Sequence, residues 1–565
     1  MFQCCINVIE LCNKGSKQRL FYIYCALGIV SVFCLVDLLE SKCQPFLHSN
    51  CLERNIINVQ REPNKHFRKY KTFWKCSDSL SASDPKRSKI ELKEGAHIGY
   101  LGDTFRINVF LYDGYGKPKT TGGDHLRARL FSPSVDAFAP GHVVDHGNGT
   151  YTVTVEALWT GWAKVEVELL FPKEIIEAAL RIRSTWDFSD IKAIFKNRHS
   201  VETSLCHPNY LVLKKRYGSS ICNFSYWNKT MSWFCGKPSG RNILCKHWVR
   251  ISRSWNNYTE NMSKCEQELS MRNNTIIPTE VYIKTLSRSS ANRLNTVKQP
   301  NITCTDYNTT RLWYKWKPSG YFYKGTWILR HCKGISDVDE TCLSNRHIYF
   351  WGDSTLIQWY HYLLSTLTFE CKILLNDRHA WRQTKVCYCH RYNITLTWMP
   401  HNIPISPFHV ENLRHFFSNT IRETVSNAGV SEVMLIVHLY SHILMYSLKF
   451  FTFHIVEIKK CVENIFKRFT NVRVFIKLPH TFQRMDTENW MIKQPDFIGY
   501  IYTDIIHKVF KGLYKKVIVL DNRDATISIR NFELHPSARI VKAMVNQLFS
   551  YVCNRSSRPE VRAIR

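Results

Sequence analysis

Hydrophobic and polar positions change their period twice along this chain. Between residues 86 and 185 short runs alternate with period two: Phe105-Arg-Ile-Asn-Val-Phe-Leu-Tyr112, His125-Leu-Arg-Ala-Arg-Leu-Phe131, Thr150-Tyr-Thr-Val-Thr-Val-Glu156 and Ala163-Lys-Val-Glu-Val-Glu-Leu169. Asp113-Gly114, Gly122-Gly123 and Asn148-Gly149 punctuate them as turns. Closely spaced strands with no helical stretch between them predict an antiparallel, immunoglobulin-like sandwich. From 301 to 565 apolar strand-like runs alternate with amphipathic helical stretches. The runs are 347–351, 371–375, 432–439, 472–478 and 516–520; the helices are about 355–368, 407–428, 447–469, 496–512 and 538–552. Alternating β and α with apolar central strands predicts a doubly wound parallel sheet, whose chemistry belongs at the carboxyl ends of its strands. Residues 37–85 and 186–300 show neither period. The first reads as a stem, the second as an extension stapled by Cys206, Cys222, Cys235, Cys245 and Cys265.

The first 36 residues decide the compartment. Leu20–Val36 is a 17-residue apolar run, preceded by Lys14, Lys17 and Arg19 and followed by Asp37 and Glu40. The charge asymmetry predicts a cytosolic tail at 1–19, a signal anchor at 20–36 and a lumenal remainder, the topology of a type II single-pass membrane protein. Within the secretory pathway the Golgi is the expected station. A cleaved signal peptide, giving a secreted chain, is the competing reading. The leader's length, its Cys4, Cys5 and Cys12, and the absence of an A-x-A exit favour the anchor. Sequons at Asn148, Asn223, Asn228, Asn257, Asn261, Asn273, Asn301, Asn308, Asn393 and Asn554 all lie on the lumenal side. Of the 21 Cys, 16 lie beyond the anchor, an even number that in an oxidising compartment reads as disulfides. Cys387-Tyr-Cys389-His390 has no second pair at finger spacing, so no metal is expected there. The net charge is +31. In the lumen that charge points away from nucleic acid and leaves an anionic glycan or phospholipid, or a surface that Lys and Arg merely solvate. The expected partners are an anionic glycan or glycoprotein, with the membrane reached through the N-terminal helix.

The candidate chemistry sits where the rule for parallel sheets puts it. Run 347–351 passes directly into Gly352-Asp353-Ser354-Thr355 and a helix. A Ser there has its hydroxyl at a strand end and its N–H at a helix N-terminus, where an oxyanion is stabilised. Gly352 allows close approach, and Asp353 is equally a helix cap. After the last run come Asp521-Asn-Arg-Asp524-Ala-Thr526 and then Asn531-Phe-Glu-Leu-His535-Pro536 before the final helix. His535 is the natural base for Ser354.

Together these segments resemble the neurexophilin and PC-esterase domain family. Gly352-Asp353-Ser354-Thr355-x-x-Gln358-Trp359 is similar to the opening of its SGNH/GDSL-like esterase domain. Asp524-Ala-Thr526 through His535-Pro536 to Tyr551-Val-Cys553 is similar to its close. Ala139-Pro-Gly-His-Val-Val-Asp-His-Gly-Asn-Gly-Thr-Tyr-Thr-Val with Leu158-Trp159-Thr-Gly161 is similar to its neurexophilin-like region. The resemblance implies O-acyl, above all O-acetyl, transfer to or from glycan hydroxyls such as those of sialylated glycoproteins. No cofactor would be bound; a transferase would draw on a donor such as acetyl-CoA. Ser354 would form the acyl-enzyme and His535 would be the base, with Gly352, Asp353 and His442 shaping the oxyanion site. Asp524 and Glu533 are the carboxylates available to orient His535, and Asp524 is the one expected to do so. The sequence departs from that pattern at Phe532, where an Asp three residues before the His is usual, at Tyr440 of Tyr440-Ser441-His442, and at Ile357. The alternative is therefore a binding or signalling glycoprotein on a silent esterase scaffold.

Overall fold

The structure is a computed structural model that describes residues 75–553, apart from 93–96, 185–190, 226–231, 241, 254–261, 273–274, 289–294, 315–317, 339, 368–370, 376–383, 402–431, 445, 483–494 and 532. The proposed tail and anchor, most of the stem and the expected helix 407–428 lie outside the described residues. Among those described, no helix is long and apolar enough to cross a membrane. The described residues fall within one compact unit. They form three sheets and the helices packed on them.

The period-two region folds as expected into strands: β1 Lys89–Leu92, β2 Ile98–Tyr100, β3 Thr104–Phe110, β4 His125–Ser132, β5 Ala137–Asp145, β6 Thr150–Glu156 and β7 Gly161–Phe171. Alternate residues enter one core, Ile107 and Val109 opposite Leu126, Ala128 and Leu130, with Tyr151, Val153, Val165 and Val167 filling between. Strand β5 belongs to both layers of the sandwich. Its residues 142–145 pair with β6, and residues 137–141 pair with β4.

The next stretch is more ordered than its sequence suggests. Strands β8 Ile191–Lys196, β9 Val201–His207, β10 Ile221–Asn223, β11 Phe234–Gly236 and β12 Trp248–Arg253 make a separate sheet in the order β10-β11-β9-β8-β12. Disulfides Cys206–Cys235 and Cys222–Cys245 clamp it, and Cys265 reaches back to Cys76. Period two is hidden here because the strands are short and Cys replaces the apolar residue at inward positions. Later segments then complete the sandwich. Strand β13, Tyr282–Leu286, pairs with β7 and β2, and the hairpin β14 Gly320–Tyr323 and β15 Thr326–Leu329 pairs with β5.

The C-terminal region is a parallel sheet built on β16 Arg346–Gly352. At the sheet's edge β17 Cys371–Leu375 pairs antiparallel to β18 Lys385–Cys389, which pairs antiparallel to β19 Ile394–Pro400. Strands β19, β20 Glu432–Val437, β21 Val472–Lys477 and β22 Val517–Leu520 run parallel to β16. In the order β19-β16-β20-β21-β22 the chain places β19 on one side of β16 and β20 on the other, so the crevice expected of a doubly wound sheet opens at the carboxyl ends of β16 and β20. Sequence periodicity casts 371–375 as a strand of the sheet's body and passes over 394–400. Both read as apolar runs, and only the pairing distinguishes an edge from a centre. Helix Ser354–Thr366 packs with Ala538–Ser550 in one core, while Leu448–Arg468 and Phe497–Phe510 pack in the other.

Six disulfides join twelve of the described cysteines, among them Cys304–Cys332, Cys342–Cys553 and Cys371–Cys389. Such a framework belongs to an oxidising compartment and places the chain in the secretory pathway. Asn148, Asn223, Asn301 and Asn308 are exposed and Asn393 is half-buried; Asn228, Asn257, Asn261, Asn273 and Asn554 lie outside the described residues.

Candidate active site

Strand β16 delivers Gly352 against the neighbouring strand end. A Cβ at this position would lie 2.8 Å from the His438 carbonyl oxygen, so no larger residue fits without moving β20. The chain then turns into helix Ser354–Thr366, with Asp353 as its cap: Asp353 Oδ1 accepts from Thr355 N at 2.9 Å and from Thr355 Oγ1 at 2.7 Å. Ser354 is the first helical residue, so its N–H is among those a helix leaves without an intrahelical acceptor. Its hydroxyl faces the loop before the last helix, where His535 Nε2 lies 2.7 Å from Ser354 Oγ. Ser354 is half-buried and His535 exposed. The pair is 181 residues apart in sequence and is open to a substrate.

Asp524 is held elsewhere. Its Oδ2 accepts the Ser319 N–H at 2.5 Å, tying the short helix Arg523–Ser528 to the entry of β14. Among the described residues no carboxylate hydrogen-bonds the His535 ring. Phe532 lies outside the described residues. The His535 loop is fixed through its backbone instead. Gln358 Nε2 donates to Pro536 O and His480 Nε2 to Leu534 O, each at 3.0 Å, and Asn531 Nδ2 donates to Glu533 O at 2.6 Å and to Thr481 O at 3.1 Å.

Beneath Ser354 lies a buried polar cluster of which the sequence showed Asp353 and the Ser441-His442 segment but not Lys477, His438, His480 or His401. Asp353 Oδ2 accepts from Ser441 Oγ at 3.0 Å and Ser441 N at 3.3 Å. Lys477, 1% exposed at the end of β21, sits among Thr355 Oγ1 at 3.4 Å, His438 Nε2 at 3.1 Å and His480 Nδ1 at 3.2 Å. Burial pushes the Asp353 carboxyl up, but at the acid pH where it would titrate, the charges of His438, His442, Lys477 and His401 outweigh burial and hold the group well below the usual carboxylate range. Burial and then the Lys477 charge push His438 down to about 3, so at neutral pH that ring carries no charge. Its 3.8 Å approach to Asp353 is therefore not an ion pair. Burial lowers Lys477 to about 7, partly offset by Asp353. His442 occupies the turn Ser441–Ile443 with its Nδ1 3.1 Å from His401 Nε2. Tyr440, at the position where the resemblance expects Gly, is fully buried and stands edge-on to His480 at 5.7 Å. Lys477 and His438 both stand at carboxyl ends of parallel strands. That rule, applied to every strand and not only to the Ser motif, would have found them.

The sulfur atoms of Cys371, Cys387 and Cys389 all lie within 4.8 Å of one another, but Cys371 and Cys389 are joined in a disulfide, which removes two ligands. Burial raises the remaining Cys387 thiol to about 11, leaving it protonated at neutral pH.

The neighbours of this site come from both parts of the chain. Arg127 of β4 donates to Thr481 Oγ1 at 2.6 Å, and Arg129 reaches Ser528 O at 3.4 Å. Arg530, just ahead of the His535 loop, pairs with Glu168 of β7. Comparison with known families divides the chain along the same lines. Residues 108–276 match the family model described as Neurexophilin, and residues 327–553, which carry Ser354 and His535, match that described as NXPE family member 4-like, C-terminal domain.

Proposed function

We propose that this protein is a lumenal serine O-acyltransferase or esterase acting on hydroxyls of anionic glycans, with acetyl as the acyl group. The observation that carries the reading is the 2.7 Å contact between Ser354 Oγ and His535 Nε2 at the mouth of the parallel sheet. Ser354 Oγ would attack the acyl carbonyl while His535 takes its proton. The oxyanion would form against the Ser354 N–H at the helix N-terminus. The bond from acyl carbon to donor then breaks, and His535 returns the proton to the leaving group. A sugar hydroxyl or water repeats the sequence on the acyl-enzyme. The match to the NXPE C-terminal domain over this region supports the esterase-like reading. The chain's positive charge supports an anionic acceptor.

The full chain, incubated with acetyl-CoA or a chromogenic acetyl ester and quenched in acid, should yield an acetylated peptide containing Ser354. Transfer to a sialylated glycoprotein should vanish in Ser354→Ala. Transfer retained in a folded Ser354→Ala protein would overturn the mechanism. The Neurexophilin match favours a second reading, a binding glycoprotein whose esterase fold is silent. In that case Ser354→Ala changes no glycan and partner binding follows the sandwich.

A further inference from the structure

The loop bearing His535 lacks the carboxylate that the resemblance expects at position 532, yet His535 stands in register with Ser354. The hydrogen bonds that fix the loop show how. His480 Nε2 lies 3.0 Å from Leu534 O, one residue before His535. A carbonyl only accepts, so Nε2 carries the proton and Nδ1 is an acceptor. His438 is fixed in the opposite sense: its Nδ1 faces Lys477 O at 2.9 Å, which leaves Nε2 as the acceptor. Thr355 Oγ1 donates its proton to Asp353 Oδ1 and has a lone pair to spare. Three acceptors from three segments thus converge on Lys477 Nζ, and an ammonium has three protons to give.

We infer that Lys477 and His480 form a positioning relay that replaces a His-orienting carboxylate. The Lys477 ammonium selects the His480 tautomer that pins Leu534 O, and through Thr355 and Asp353 it holds the helix start that carries Ser354. One buried cation thereby registers nucleophile and base. This inference rests on the reading of Ser354 and His535 given above. A buried lysine with no such duty would be an expensive way to fill a space that methionine fills, since burying a charge is costly unless it is fully bonded.

The relay depends on pH with a definite sign. The titratable groups facing Lys477 are Asp353 from the helix start, His438 from the end of β20 and His480 from the turn after β21, with His401 and His442 bordering Asp353. Burial holds His480, like His438, below its usual range, so neither ring competes for the proton near neutrality. As pH rises through about 7 the ammonium becomes an amine with two protons for three acceptors. His480 is then free to exchange tautomers and release Leu534 O. Competence of the Ser354–His535 pair should fall over that range.

The test uses the full chain and a fluorophosphonate probe that labels an activated serine, with amide hydrogen exchange of the peptide 533–537 as a second readout. Labelling of the wild type should decline as pH rises from 6.5 to 8. In Lys477→Met, labelling at pH 6.5 should slow on the order of 100-fold, as expected for a misplaced reacting group, and the decline should disappear. Exchange at 533–537 should quicken in Lys477→Met while strand Val517–Leu520 stays protected. His480→Gln retains a donor toward Leu534 O and should lose less than His480→Ala. Labelling of Lys477→Met within twofold of wild type, with the same pH profile, would overturn the relay. If wild-type Ser354 does not label at any pH, the nucleophile reading fails on its own account. Exchange at 533–537 then decides the relay: unchanged protection in Lys477→Met overturns it. Should Lys477→Met not fold, His480→Ala is read by the same two measurements, and wild-type labelling with wild-type protection in that variant overturns the relay.

Discussion

Two regions with buried charged side chains, the outer face of strands β4 and β7 and the carboxyl end of the parallel sheet, are built differently. On the sandwich, cations and carboxylates meet directly. Arg127 lies 3.4 Å from Glu168, Arg129 lies 2.7 Å from Glu166, and Arg530 joins both carboxylates from the C-terminal region. Three guanidiniums share two carboxylates there, and the charges meet in direct ion pairs. At the site the Lys477 charge meets neutral imidazoles and a hydroxyl, and reaches Asp353 through Thr355. There the charge is held by hydrogen bonds whose protons can be lost. One region supplies a frame and the other a mobile proton.

The largest effect should come from the site itself. Ser354→Ala and His535→Ala should each lower acyl transfer by about 1,000-fold or more, with the double mutant hardly worse, because the two act as a unit. Thermal unfolding should be unchanged, since Ser354 is only half-buried and His535 is exposed. Additive losses would mean that the two residues do not share one step.

Next comes the anchor of the buried cluster. Asp353→Ala removes a carboxylate that accepts four hydrogen bonds and should cost on the order of 3 kcal/mol in denaturant unfolding. Because the folded state holds this carboxyl below its usual range, its contribution is full above the unfolded value of about 4 and is lost as pH falls through the folded one. Wild type should therefore lose more stability than Asp353→Asn between pH 5 and pH 2. Parallel acid curves would show that the ionised carboxylate adds nothing to the folded state.

The frame is tested by Arg127→Met, which leaves Glu168 with Arg530 and takes one hydrogen bond from Thr481, whose hydroxyl keeps its bond to Asp496. Unfolding should become easier by about 3 kcal/mol, the usual penalty for breaking a buried pair. Acyl transfer should drop only about tenfold, through the turn next to His480. Its pH profile should keep the wild-type shape, which a site residue would not leave intact. The smallest effect is expected at Asp524. Asp524→Asn keeps an acceptor for the Ser319 N–H and should change acyl transfer by less than about threefold, with a stability loss of about 1 kcal/mol. A loss of 1,000-fold would return Asp524 to the role of orienting His535.

Whether a feature is legible in the sequence depends on whether it is local. The strands Thr104–Phe110, His125–Ser132 and Thr150–Glu156 fall where alternation places them, because a half-buried strand writes its period into its own residues. Ser354 is readable for a similar reason: Trp351-Gly-Asp-Ser-Thr355 is a strand running into a capped helix, and the junction lies within five residues. The short strands of the extension are not readable, nor is the role of β13 and the β14–β15 hairpin in a sandwich that begins some 200 residues earlier. Arg127 and Glu168 look like the solvated face of an amphipathic strand. They are 3% and 5% exposed because another part of the chain covers them. Asp524 looks like a partner for His535 because it lies eleven residues away along the chain, but its carboxylate turns to Ser319.

The amino-acid sequence alone set the alternating strands of the sandwich and most elements of the parallel sheet, the oxidising compartment implied by the cysteines, and the strand–Ser–helix junction with its late histidine. Each follows from the periodicity, composition or spacing of residues that act close to where they stand. The folded chain settled which cysteines pair, which strands are edges and which polar residues are buried. It also put Lys477 and His480 beneath the Ser354–His535 pair. Those outcomes depend on segments hundreds of residues apart meeting at one sheet end, where the cost of burying a polar group is set by the partners it finds. A lone Lys at the end of an apolar strand carries no mark of its partners. Its three acceptors come from β20, from the turn after β21 and from the Ser354 helix, and only the folded sheet brings them within reach of one ammonium.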